Sequence, residues 1–471
     1  MTGVRSPGGE AHRTRAHHGR WLPVAGSRIV RWCSHGMPSR AGRDIAPHLR
    51  AASRSVGAKA LTLPVTAVTM LLTTRAVVDA VGVSGYALFA LTVTLPALLP
   101  LGDLGVGAAI VEAIASPDDP GRTRLRRAVT SGARTLLAAG GLIACVGVLP
   151  AAAGWWSLLL GRTALPGTDA AVAVAFSLFG CSLFLGLGRS LLVALNQTHV
   201  PLLLQGAGSV LAFVLVLWAA SVGAPAAVLV APGFFAQGLV GAMCLARAGR
   251  TLRMPVLNLV LGCWLPRRAG ARIRHLAGPM VIVNAGSAVA YGTDRLVLSH
   301  TTDSATVAVY SAGAQLFAPT AGLLSAASLP LWVLFAHQRQ SPDRNGRHRL
   351  VWLTAVFATA GLLAGMALIL LGPAIGSWMM HGRERVGVDV MVAFATLLFL
   401  QAVNYPASMW LTDESGLRFQ AVRVSVMAAV NLALAIPLAH LIGASGPVLA
   451  SVIAFATAVL IPSLKRAFHH V

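Results

Sequence analysis

Four arginines, Arg75, Arg134, Arg189 and Arg295, interrupt long apolar runs of this sequence. A guanidinium is planar, permanently charged and able to engage an oxyanion through paired N–H donors, which makes these four candidate ligands for an anion. A charge at the centre of a membrane-inserted helix costs about 2.5 to 3.5 kcal/mol, so it lines a polar cavity or finds a partner. Arg75 has Asp79 four residues on, and Arg295 follows Asp294 directly. Two readings therefore stand for Arg75 and Arg295: cavity-lining cations, or neutralised ion pairs with no ligand role. Arg134 and Arg189 lie within about two turns of the ends of their runs, where a long side chain can reach the headgroups, and snorkelling is the favoured reading for both.

The acids suggest a second kind of chemistry. Asp103 stands in "LGDLGVG" after Pro96 and Pro100, where a carboxylate can exchange a proton or bind a cation, and equally where it can cap a helix break. Asp294 and Asp79 are further candidates for ion coupling, whereas Glu112 reads as an interfacial acid. Gln401, Asn404 and Tyr405 gather in one apolar run, with Asn284, Gln315 and Asn431 elsewhere. Such groups suit a hydroxyl-rich ligand, although amides in membrane helices commonly bond to neighbouring helices instead. Cys33, Cys145, Cys181, Cys244 and Cys263 lie far apart, and neither a disulfide framework nor a metal site is predicted. Gly102, Gly105 and Gly107 have no preceding strand, and no phosphate-binding G-x-x-x-x-G-K-[ST] occurs, so no cofactor is predicted and energy must come from an ion gradient or from consumption of the cargo.

The elements that must position these residues follow from composition. The chain has 471 residues, 56% of them hydrophobic and 11% charged, with a mean hydropathy of +0.72. Those values exclude a set of ordinary soluble domains and predict an all-α, polytopic membrane protein. Twelve segments are long and apolar enough to span a bilayer: 61–81, 86–112, 129–152, 170–193, 201–221, 226–246, 276–298, 306–336, 350–372, 389–411, 421–442 and 447–464. The net charge of +22 would suggest nucleic acid if the positive groups formed one soluble face, but they are spread over the loops. With both termini cytoplasmic, only Arg162, Arg383 and Arg385 fall in external loops, as retention of positive loops on the inside requires.

The domain reading is a basic cytoplasmic segment over 1–57, a six-helix bundle over 58–247, a linker over 248–275, a second six-helix bundle over 276–466 and a tail over 467–471. Residues 1–57 have no apolar core of signal-peptide length. Met37 is a second candidate start residue, and the functional alternative for the preceding stretch is a basic arm on anionic lipid. The linker carries an apolar stretch, Met254 to Leu265, which is too short to span and reads as an interfacial helix. Asn196-Gln197-Thr198 matches a glycosylation sequon but falls on the cytoplasmic side, and Gly361 with Gly365 reads as a packing motif within the bundle.

Six helices plus six invites a search for duplication. Arg75 and Arg295 are 220 residues apart, and so are Gly223 in "SVGAPAAVLVA" and Gly443 in "LIGASGPVLAS". With an even number of helices in each half, the repeats would share orientation about an axis along the membrane normal. The stretch "GVSGYALFALTVTLPALLPLGDLGVGAAIVEAIA" at 82–115 resembles the second-helix region of polysaccharide flippases of the Wzx type. "YGTDRLVLSHTTDSATVAVYSAGAQLFAP" at 291–319 resembles their passage from the seventh helix to the eighth. These motifs fit several branches of the multidrug/oligosaccharidyl-lipid/polysaccharide (MOP) exporter superfamily, over residues 58–466.

What the resemblance implies is a MOP/MATE-like fold in a bacterial inner membrane and a flippase rather than an enzyme. The cargo would be a glycan on a polyprenyl diphosphate, whose anionic oxygens suit Arg75, Arg295, Arg134 and Arg189. Membrane lipids, glycosyltransferases, a polymerase and other polysaccharide-export proteins would be its partners, and nucleic acid would not. A drug exporter of the same superfamily would favour intramembrane acids for cationic cargo, against the balance of charge here. A membrane polymerase or glycosyltransferase would need a catalytic set on extended loops, which the external loops do not gather. A structural partner in a cell-envelope assembly would tolerate loss of every intramembrane arginine.

Overall fold

The computed structural model describes residues 41–98, 106–107, 110, 123–195, 197–252, 274–340 and 346–469. The candidates Asp103 and Glu112 and most of the expected linker lie outside the described residues, as do residues 1–40 and Asn196 of the sequon. Among the described residues there is no strand. Ten helices are long and apolar enough to cross a membrane, so the chain is a polytopic all-α membrane protein.

The difference between ten helices and the twelve expected spans has a local origin. The first helix, α1 (Ala41–Thr94), holds the first expected span and the start of the second, because the chain breaks inside it at Gly82 (φ 73°, ψ −177°). A β-carbon disfavours that left-handed φ, and glycine lets the helix stop and restart within one residue. The restarted part gives way to a single 3₁₀ turn, Leu95–Leu98, around Pro96. The expected seventh span is split at Thr293 into α8 and α9, which leaves neither piece on its own long and apolar enough.

The N-terminal half continues as α2 (Thr123–Ala152), α3 (Trp155–Leu159), α4 (Thr168–Ala194), α5 (His199–Ser221), α6 (Ala226–Leu229) and α7 (Ala231–Leu252). The C-terminal half comprises α8 (Arg274–Gly292), α9 (Asp294–Thr301), α10 (Ser304–Gln340), α11 (Gly346–Met379), α12 (Val388–Trp410), α13 (Glu414–Ile442), α14 (Ser445–Ala454), a π-helical stretch Phe455–Leu460 and α15 (Ile461–His469).

In the first half α4 packs between α2 and α7, and α5 leans on α7; in the second, α12 packs on α10 and α11, while α13 packs on α8, α9 and α14. Without a hydrophobic driving force between helices in lipid, close backbone approach carries much of this packing. A β-carbon on Gly140 of α2 would stand 2.4 Å from the Gly180 carbonyl oxygen of α4, and the reverse holds equally. Gly361 and Gly365 of α11 likewise face Ala402 and Ala395 of α12 in the same chain. The outward faces are apolar, with Leu149, Leu370 and Leu441 largely exposed, as lipid-facing positions are.

Two pairs of residues at the 220-residue offset have matched surroundings. Gly223 and Gly443 both take positive φ, 71° and 61°, at turns that end α5 and α13. The Ser84 and Ser304 hydroxyls lie 3.2 Å apart, and they too are separated by 220 residues.

Candidate functional site

The polar side chains inside the molecule concentrate along the seam between α1 and the C-terminal half. Thr74 Oγ1 donates to Gln315 Oε1, and Gln315 Nε2 donates to the Tyr86 hydroxyl at 3.0 Å. Tyr86 is fully buried. One amide of α10 thus bridges both arms of the hairpin that Gly82 creates. Below it Arg295 of α9 donates through Nη1 to Thr94 Oγ1, which itself donates to the Ala90 carbonyl. The Arg295 Nε is buried with no partner.

Asp294 turns away from its neighbour Arg295 into the C-terminal half. It is 2% exposed, and its Oδ2 accepts from the Tyr310 hydroxyl at 2.8 Å. Its Oδ1 has no hydrogen-bond partner, and Ser451 stands beside the carboxyl. Asn431 of α13 donates to Ser451 Oγ at 2.6 Å and to the Ala290 carbonyl at 2.8 Å, while its own Oδ1 is unpartnered. An acid, a hydroxyl and an amide therefore converge from α9, α14 and α13, with spare oxygen lone pairs on two of them. Such a group can take up a proton or a cation.

Neither Arg75 with Asp79 nor Arg295 with Asp294 forms a direct ion pair, although Arg295 lies close enough to Asp294 to act on it electrostatically. Arg75 Nη1 donates to the Trp378 carbonyl at 2.5 Å, with its guanidinium carbon 4.5 Å from the centre of the Trp378 ring. Asp79 Oδ1 faces His381 Nε2 at 3.7 Å. These contacts sit at the end of the molecule that the arginine distribution assigns to the exterior.

Arg134 and Arg189 lie on α2 and α4, apart from the other two arginines. Side chains in a helix lean towards its N-terminus, and α4 begins at the external end. The Arg189 guanidinium accordingly lies beside Gly186, one turn towards the start of α4, where a β-carbon would meet Nη2 at 3.3 Å. Arg134 is half-buried on the neighbouring α2.

The polar cluster of α12 divides. Gln401 Nε2 donates to the Tyr291 hydroxyl at 3.2 Å, and the Tyr405 hydroxyl donates to the Ala321 carbonyl at 3.4 Å. Those two are interhelical bonds. Asn404 is buried with its Oδ1 unpartnered, and the bonds of Gln401 and Tyr405 leave the Gln401 carbonyl oxygen and the Tyr405 lone pairs to accept further donors.

Several residues here carry no sequence motif: Tyr86, Tyr291, Tyr310, Ser451, Trp378, His381 and Arg383. One signal was available for three of them. The chain has only four tyrosines, and every one makes a buried or half-buried hydrogen bond on these elements.

Solved structures share this all-helical membrane fold. The chain superposes on an inward-facing multidrug resistance MATE family transporter of the MOP superfamily with a TM-score of 0.66, at 14% identity, covering 87% of this chain and 98% of that one. It superposes on the lipid II flippase MurJ in an inward closed conformation with a TM-score of 0.62, at 13% identity, covering 87% of this chain and 89% of that one. A MOP superfamily transporter from Pyrococcus furiosus, described as having a binding pocket of reversed polarity, aligns with a TM-score of 0.60 at 12% identity, covering 88% and 95%. No protein-family model and no curated relative matches the chain. The fold is that of the MOP superfamily transporters.

Proposed function

We propose that this protein is a transporter of the bacterial inner membrane that flips a polyprenyl-diphosphate-linked oligosaccharide from the cytoplasmic to the external leaflet, by alternating access of its two helical halves. The observation that carries the reading is the sign of the charge held on the spans. Arg75, Arg134, Arg189 and Arg295 stand against one buried acid among the described residues, Asp294, and neither Arg75 nor Arg295 forms a direct ion pair with the carboxylate near it in sequence. A diphosphate headgroup matches that balance, because guanidinium forks bind its oxygens in pairs and cannot lose their charge by deprotonation.

Arg134 and Arg189, on the N-terminal half and away from the external contacts, are the first ligands a headgroup meets from the cytoplasm; Arg295 receives it at the seam. Asn404 and the neighbouring Gln401 and Tyr405 suit sugar hydroxyls. Asp294 is the coupling group, taking up a proton or a cation where Tyr310, Ser451 and Asn431 converge. Lipid, and the glycosyltransferases and polymerase that make and consume such a cargo, are the partners this reading implies. The fold likeness to a multidrug transporter supports export of small amphiphiles as the second reading.

The test is leaflet accessibility of a fluorescent polyprenyl-diphosphate oligosaccharide in proteoliposomes, for wild type, Arg189→Ala and Arg295→Ala, with and without an imposed proton or sodium gradient. Movement by wild type that both variants lose supports the reading. Normal movement by both variants removes the arginine path, and export of cationic dyes without movement of the lipid-linked glycan transfers the assignment to the second reading.

A further inference from the structure

The contacts at the external end have a reciprocal pattern. A helix leaves the carbonyls of its last turn without intrahelical donors, and a cation there also meets the negative end of the helix dipole. The first part of α1 stops at Gly82, so Val78 lies in its last turn; α11 stops at Met379, so Trp378 lies in its last turn. Arg383, just beyond α11, donates through Nη1 to the Val78 carbonyl at 3.1 Å. Arg75, within α1, donates to the Trp378 carbonyl at 2.5 Å and lies over the Trp378 ring. Each half thus supplies the arginine that caps the other half's helix end.

Three further observations point to the same place. His381 is the one described residue other than glycine with positive φ, 53°, and it is followed by Gly382 at 70°. Such backbone strain costs of the order of 1 kcal/mol or more and persists where surrounding contacts hold it. The turn is held by its own backbone bonds, from Gly382 N–H to the Ser377 carbonyl at 2.9 Å and from Arg383 N–H to the Met380 carbonyl at 3.0 Å, and it faces α1, where the His381 ring lies beside Asp79 and a β-carbon on Gly82 would stand 4.0 Å from Arg383 Nη1. Arg383 is also one of few basic residues assigned to an external loop, a placement the topological rule opposes and an interaction can explain. The Asp79–His381 pair is too exposed to contribute much, with Asp79 at 68%, so the two arginine caps carry the hold.

We infer that the strained turn Met380–Arg383 is a latch that keeps the external end closed by gripping the Gly82 end of α1, and that breaking the two reciprocal arginine caps opens the passage to the outside. The inference rests on the transporter reading but not on any identity of the cargo.

The test uses full-length protein in liposomes with its five cysteines replaced by serine and one reporter, Ser311→Cys, which is buried on α10 one turn from Gln315. A membrane-impermeant maleimide is added from outside. Arg383→Ala combined with Arg75→Ala, which removes both caps, should raise the labelling rate at least about tenfold, as loss of charge-assisted bonds from one of two states requires. In a second protein, Asp79→Cys with His381→Cys should form a disulfide under mild oxidant, hold reporter labelling at its lowest level, and release it on reduction. Unchanged labelling in the first protein, or a disulfide that leaves labelling unaffected, overturns the latch. Neither measurement requires cargo, so latch-dependent labelling without glycan movement would leave the latch standing and remove the flippase reading alone.

Discussion

Gln315 offers a quantitative handle on the closed seam. Replacing it with leucine keeps the side-chain volume close to that of the amide, so the cavity contribution is small. The change removes the bonds from Thr74 and to Tyr86. Thr74 keeps its bond to the Met70 carbonyl at 3.1 Å, whereas the Tyr86 hydroxyl, on a fully buried ring, loses the donor it has from α10. At about 0.5 to 1.5 kcal/mol net for each hydrogen bond, the loss is roughly 1 to 3 kcal/mol. Thr74 and Tyr86 belong to one half and Gln315 to the other, so the cost falls on the state in which the halves meet. At about 1.4 kcal/mol per tenfold change, the closed-to-open ratio should fall about 5- to 150-fold. External maleimide labelling of Ser311→Cys in the Gln315→Leu background should rise by a factor in that range. A variant that unfolds more easily on heating yet labels at the wild-type rate would refute this account, because the amide would then stabilise both states alike.

Other substitutions separate the roles assigned to individual groups. Arg75→Ala and Arg295→Ala should each abolish glycan movement at normal membrane abundance, measured by leaflet accessibility and quantitative blotting; full complementation by both would remove them from the path. Asp294→Asn should leave the fold intact and make movement indifferent to an imposed gradient, and a variant still driven by the same gradient would exclude Asp294 as the coupling group. Arg189→Lys should remain well below wild type in flipping rate, since an ammonium lacks the planar fork, and equal rates would mean that charge alone suffices. Gly140→Leu should destabilise by about 1 to 3 kcal/mol or more through overpacking, read as earlier thermal unfolding, because its β-carbon would meet the Gly180 backbone rather than a movable side chain.

Hydropathy made most of the architecture readable, because a lipid-facing helix must be apolar along its whole length and few other segments are. It failed where a helix is interrupted without a change of polarity. "VVDAVGVSGYALF" reads as continuous apolar chain, and only the backbone shows that Gly82 turns it into a hairpin-like break. At the site, the sequence marks charges but not their partners. Arg75 was readable as costly and therefore purposeful, yet its partner is a carbonyl more than three hundred residues away, which no side-chain spacing encodes. Asp294 was distinguishable from Asp79 only once the convergence of α9, α13 and α14 placed Ser451 and Asn431 beside one and left the other exposed.

The meeting of Ser84 with Ser304 bears on how such a chain came to exist. In a symmetric pair of identical subunits, a residue touches its own copy only if it lies at the two-fold axis. Two serines that occupy the same place in successive halves and touch each other mark that axis within a single polypeptide. An ancestral half-length protein would have joined serine to serine as a homodimer, with the Arg75 and Arg295 positions equivalent. In such a duplication the two copies would be free to diverge, and position 74 holds a threonine where position 294 holds the buried Asp294. On this view the difference between Thr74 and Asp294 would be younger than the scaffold around it.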